Sequence, residues 1–106
     1  MEQSEDILEL GGSINFSGFA GVDPSQMVVI KKIVGNYTKR LTEICRRFES
    51  ISVIMKPVHK TEASEIYEIH AKCIDNGKPY VSEITERNLF IAVDSVLKKI
   101  INEIQK

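Results

Sequence analysis

The 106-residue sequence predicts an α+β domain of order β-α-β-β-β-α, with two helices side by side on one face of a four-stranded sheet. Three observations carry this reading. Met27, Ile30, Val34, Tyr37, Leu41, Ile44 and Phe48 recur at alternating spacings of three and four, a single apolar stripe along a helix of about 25 residues. Residues 65–74 instead alternate strictly and run into Asp75-Asn76-Gly77-Lys78, a strong hairpin turn because Asn-Gly supplies the positive φ values of a type I′ turn. A second helical stripe, Leu89, Ala92, Val93, Val96, Ile100 and Ile104, closes the chain. Each helix has one apolar side and the sheet offers one shared core, so both stripes cover the same sheet face.

The elements follow in order. Residues 1–10 hold Glu2, Glu5, Asp6 and Glu9 and form an acidic, frayed arm before a single domain over 11–106. Ile14 and Phe16 among polar neighbours give a short first strand, begun either there or at Ile7, and the glycines of 11–21 keep this region out of helix. Asp23-Pro24 opens the first helix, Asp as N-cap and Pro where its missing N–H costs nothing. Gly35 weakens that helix by about 1 kcal/mol without ending it. Ser52–Lys60 is a β-branched strand in which Pro57 marks either an edge or a bulge. Glu65–Ile74 places Tyr67, Ile69, Ala71 and Cys73 on one face and Glu68, His70 and Lys72 on the other; Tyr80–Thr85 returns, and Asn88 caps the last helix.

Composition excludes several function classes. Apolar residues make up 42% and charged residues 27%, the mix of a folded globular domain. No stretch approaches the roughly 18 apolar residues that span a bilayer, and the acidic N-terminus is unlike a basic signal peptide, so a cytoplasmic protein with no membrane partner is expected. Cys45 and Cys73 are too few for a disulfide scaffold and read as small core hydrophobes. There is no GxxxxGK[ST], GxGxxG, HExxH or CxxC. Ser17-Gly18-Phe19-Ala20-Gly21 precedes an Asp-Pro helix start with no lysine after it, a poor phosphate cradle. His70 and Cys73 lie three apart on a strand and point to opposite faces, so they share no metal; His59 has no nucleophile or carboxylate pair placed beside it. Asn36-Tyr37-Thr38 matches a glycosylation sequon by chance, in mid-helix. The reading is a non-enzyme with no cofactor, no metal and no small-molecule substrate.

Charge distribution points elsewhere. Net charge is −1, but all 14 Lys and Arg lie after residue 30, against 11 acidic residues in 11–106. Residues 31–60 alone hold eight basic residues against Glu43 and Glu49, and local potential rather than net charge governs polyanion binding. At 100° per residue, Lys32, Lys39 and Arg46 form a row away from the apolar stripe, with Arg40 and Arg47 on the adjoining flank; Glu43 precedes Arg47 by four and is placed to pair with it. The bland alternative is a solvated helix face. The topology is that of a double-stranded-RNA module with an extra N-terminal strand, but such modules open their last helix with a basic cluster, and here that start reads Glu86-Arg87-Asn88-Leu89.

The element order and the run Asn88-Leu89-Phe90-Ile91-Ala92-Val93-Asp94-Ser95-Val96-Leu97-Lys98-Lys99-Ile100 resemble the ribosome hibernation-promoting factor family, also called ribosome-associated inhibitor A or protein Y. That family opens its last helix with a pattern like Asp-Met-Tyr-x-Ala-Ile-Asp and later reaches Lys-Leu; Asn88, Leu89, Phe90, Ala92, Val93, Asp94, Lys99 and Ile100 fill those places. Ile44, Arg46, Phe48, Ile51 and Lys56 match the family's Lys-Leu-x-Lys-Tyr-Phe-like helix end and its following strand. Asn102 and Glu103 depart from it, standing where the family commonly carries Arg-Gln, and the chain leaves no room for the C-terminal dimerisation domain of long members.

The resemblance implies a ribosome-associated translation inhibitor that binds small-subunit rRNA through basic side chains along a groove between its helices. Carried over by position, the RNA-binding candidates are Arg40, Arg46, Lys56, Lys60, Lys99 and Lys106; the helical projection adds Lys32, Lys39, Arg47 and Lys98. Arg40, Arg46, Lys56 and Lys99 are expected to converge on that groove. The alternative is a non-catalytic protein-interaction or homodimerisation module, suggested by Ile91 opposite the last apolar stripe and by Ile66 and Val81 at outer strand positions.

Overall fold

The computed structural model describes residues 13–60 and 65–106. The acidic arm, residues 1–10, lies outside them. The order is β1 (Ser13–Ser17), α1 (Pro24–Ile44), β2 (Phe48–Lys60), β3 (Glu65–Asp75), β4 (Lys78–Glu86) and α2 (Leu89–Ile104). The fold is the α+β arrangement that the sequence predicts. The strands form one sheet in the order β1-β2-β3-β4, with β1 parallel to β2 and the other pairs antiparallel.

Local signals act where they were read. The Asp23 carboxylate accepts from the Ser25 amide at the start of α1, with Pro24 in the first turn, and Asn88 Oδ1 accepts from the Ile91 amide at the start of α2. Asn76 and Gly77 hold φ of 52° and 82°, the two positive values of a type I′ turn. Pro57 falls within the register shift between Lys56 and His59, so it marks a bulge, and β2 is an inner strand.

The core lies between the helices and one sheet face. Ile14, Ile51, Val53, Ile69, Ala71 and Cys73 point into it from the sheet, Ile30, Val34 and Leu41 from α1, and Val93, Val96 and Ile100 from α2. Leu97 and Ile101 are buried too, because α2 packs on β3, β4 and α1 at once and needs a wider apolar face than one stripe. Phe16 and Phe19 close one end, ring edge to face at 5.5 Å. Gly18 follows β1 with φ of 84°, and a Cβ there would stand 2.1 Å from the Met55 carbonyl oxygen, so only glycine fits. Cys45 and Cys73 are buried as expected, and their thiols also lie against each other.

The predicted end of α1 is corrected. The helix stops at Ile44, Cys45 turns extended with ψ of 149°, and β2 begins at Phe48 rather than Ser52. The physical reason sits in another element. Asp75, at the end of β3, accepts hydrogen bonds from the Arg46 amide (3.3 Å) and the Arg47 amide (2.8 Å), which draws the chain off the helix axis. Phe48 still packs against the core, but from a strand. Glu43 and Arg47 therefore share no helix, and among the described residues no ion pair joins them.

Candidate nucleic-acid interface

The helix-side surface is built around one contact across the α1–α2 seam. The Tyr37 hydroxyl donates to Asp94 Oδ1 at 2.8 Å, and Lys98 Nζ lies 3.9 Å from Asp94 Oδ2, one helical turn on. Burial, the Asp94 hydrogen bond and the Asp94 charge push the Tyr37 hydroxyl up to about 12, while the Arg40 charge opposes the shift. Lys98 reaches the seam from α2, and on α1 Arg40 follows Tyr37 by three residues, so its charge acts on the same hydroxyl. Lys98 is 65% exposed and its pair with Asp94 is a surface pair, worth little, so the ammonium is free to exchange a carboxylate for another anion. Lys32 and Lys39 stand exposed on the solvent side of α1.

The other predicted cations lie elsewhere. Arg46 and Arg47 fall beyond the helix end, in the turn bound by Asp75, so the row Lys32–Lys39–Arg46 stops at Lys39. Lys56 follows core-packed Met55 by one residue, which puts it on the open face of the sheet opposite Glu68, away from the seam. Lys60 is opposite Glu65 in the ladder, and its side chain is outside the described residues. Lys99 reaches back to the sheet edge, where Nζ donates to the Glu83 carbonyl at 3.1 Å. It caps an outward carbonyl of edge strand β4, a common device against strand pairing. Lys106 pairs with Glu103 at 3.2 Å past the end of α2.

Two residues escaped the sequence reading. Tyr37 counted only as part of the apolar stripe, yet its hydroxyl links the helices. Lys78 counted only as a turn residue, yet its Nζ stands 5.0 Å over the Tyr80 ring at the same end of the molecule as Arg46 and Arg47. Among the described residues no group of three or more His, Cys, Asp or Glu is placed to hold a metal ion, and no described helix is long and apolar enough to cross a membrane.

The seam and the core predict an alkaline limit on stability. Cys73 is also pushed up to about 12, chiefly by burial, and burial raises Cys45. Above about pH 9 the unfolded chain loses protons that the folded chain keeps, so stability falls as pH rises. Stability is expected to be fully present below pH 9 and lost progressively towards pH 12, with the Tyr37 part setting in near pH 10. Urea midpoints measured from pH 8 to pH 11.5 test this, and Tyr37→Phe is expected to flatten the upper part of the curve.

No protein-family profile matches the sequence, and no curated protein sequence matches it either. Solved structures do. A ribosomal subunit interface protein from Coxiella burnetii superposes with a TM-score of 0.59 at 11% identity, over 87% of this chain and 92% of that one. The N-terminal domain of protein Y from Thermus thermophilus superposes with a TM-score of 0.54 at 12% identity, again over 87% and 92%. At such identities the likeness establishes the fold: two helices on a four-stranded sheet in the order these proteins share.

Proposed function

We propose that the protein is a ribosome-associated, non-catalytic inhibitor of translation that binds small-subunit rRNA across its helix side. The observation that carries this reading is that Lys98 of α2 and Arg40 of α1 both stand beside the Tyr37–Asp94 contact, in a fold shared with a ribosomal subunit interface protein. RNA backbone recognition needs several cations, and Lys32 and Lys39 add positive charge on the solvent side of α1. The Tyr37–Asp94 bond fixes the distance between the helices, so the cations are held in place before RNA arrives. The protein acts in the cytoplasm, where ribosomes are, without a cofactor.

Co-sedimentation with purified small subunits tests the proposal. Binding is expected at low salt and falls as salt rises, with a log–log slope of about 0.7–0.9 per phosphate contacted. No binding at low salt overturns it. Val81 (65% exposed) and Ile91 (50% exposed) support the alternative of a protein-interaction or homodimer module, which sedimentation of the free protein decides by whether its mass rises with concentration.

A further inference from the structure

We propose that the α1–β2 turn and the β3–β4 hairpin together form a second RNA-phosphate contact point, made by Arg46, Arg47 and Lys78. It rests on the rRNA-binding reading and extends it beyond the seam. The two loops are separate in sequence and joined by four hydrogen bonds. Asp75 accepts from the Arg46 and Arg47 amides, the Asn76 amide donates to the Arg47 carbonyl at 2.8 Å, and the Gly77 amide donates to Glu49 Oε2 at 2.8 Å. Backbone at a turn of this kind is ordinarily mobile; here each loop holds the other.

The same bonds occupy the neighbouring carboxylates, which keep their charge but form no ion pair with the three cations. Asp75 and Glu49 are the acids nearest these cations in sequence and register, and both carboxylates are engaged by backbone amides. Among the described residues no ion pair within 4 Å involves Arg46, Arg47 or Lys78, and all three are exposed. Lys78 is further restrained by its position over the Tyr80 ring. Three cations held on braced backbone and left without carboxylate partners suit an anion that arrives from outside. A fork-shaped guanidinium matches a phosphate well, and the order Arg, Arg, Lys offers two forks and one point charge. Arg46 lies six residues after Arg40 and two past the end of α1, so the tip stands at the C-terminal end of the helix that carries Arg40. A simpler role exists: cations at the C-terminal end of a helix complement its dipole. That role predicts a small effect on stability and none on RNA.

The test uses the full chain and purified small ribosomal subunits, with the salt slope of binding as readout. The triple variant Arg46→Gln/Arg47→Gln/Lys78→Gln is expected to lose about 2–3 from the slope while its circular dichroism is unchanged. Arg46→Lys/Arg47→Lys, with Lys78 kept, is expected to retain the wild-type slope, which separates charge from a structural part played by the arginines. An unchanged slope in the triple variant, with the slope reduced in Arg40→Gln/Lys98→Gln, overturns the tip and leaves the seam standing. Absence of wild-type binding at low salt overturns both.

Discussion

Asp75→Ala is expected to cost about 3 kcal/mol of stability, more than any surface charge in the molecule. The side chain is 7% exposed, and each carboxylate oxygen accepts a backbone amide from the turn that ends α1. Hydrogen bonds to an ionised group contribute about 1.5–3 kcal/mol, and removing the acceptor also leaves the amides without a partner. The Arg47 bond, at 2.8 Å, belongs in the upper part of that range; the Arg46 bond, at 3.3 Å, lies at the long limit and adds less. The loss reads as a lower urea midpoint at unchanged slope. Asp75→Asn keeps one acceptor and turns an N–H towards the other amide, so it should fall between alanine and wild type. A change below about 0.5 kcal/mol for alanine would show that the brace holds nothing.

Asp75 also explains where the sequence could and could not be read. The hairpin and both helix starts depend on residues within a few positions: Asn76-Gly77, Asp23-Pro24 and Asn88 act on their own neighbours, and each is placed as local chemistry dictates. The end of α1 depends on a carboxylate about thirty residues further along. The three-four stripe ran on to Phe48 because strand and helix both needed an apolar residue there, and nothing nearby said that the helix had stopped. The same error placed Arg46 in a row with Lys32 and Lys39. Faces were legible and side-chain destinations were not. Lys98 and Lys99 are adjacent on one helix, yet the 100° between them sends one to the seam and the other to a carbonyl of β4. Lys56 is separated from the helix side by the alternation after Met55. The seam itself was half legible. Its cations showed in the charge count, but Tyr37 looked like core until its hydroxyl met a carboxylate 57 residues away.

The seam carries the largest functional effect. Arg40→Gln/Lys98→Gln is expected to weaken binding to small subunits about a hundredfold at low salt. An exposed charged contact sits at the lower end of 1.5–3 kcal/mol, which is about tenfold each. The salt slope should fall by about 1.4–1.8, two contacts' worth. Asp94 supplies the control of opposite sign. Its carboxylate faces the same seam, so Asp94→Asn removes a negative charge beside the incoming phosphates while leaving an oxygen able to accept from Tyr37. Affinity should then rise several-fold, against the fall produced by the basic variants. Lys99→Gln, with its side chain turned to the β4 edge, should move the slope by less than half a contact. A general loss of net positive charge would make all three basic sites equivalent, whereas a built seam separates Lys98 from its immediate neighbour. Equal effects at Lys98 and Lys99, or weaker binding by Asp94→Asn, would mean that RNA does not meet the protein along this line.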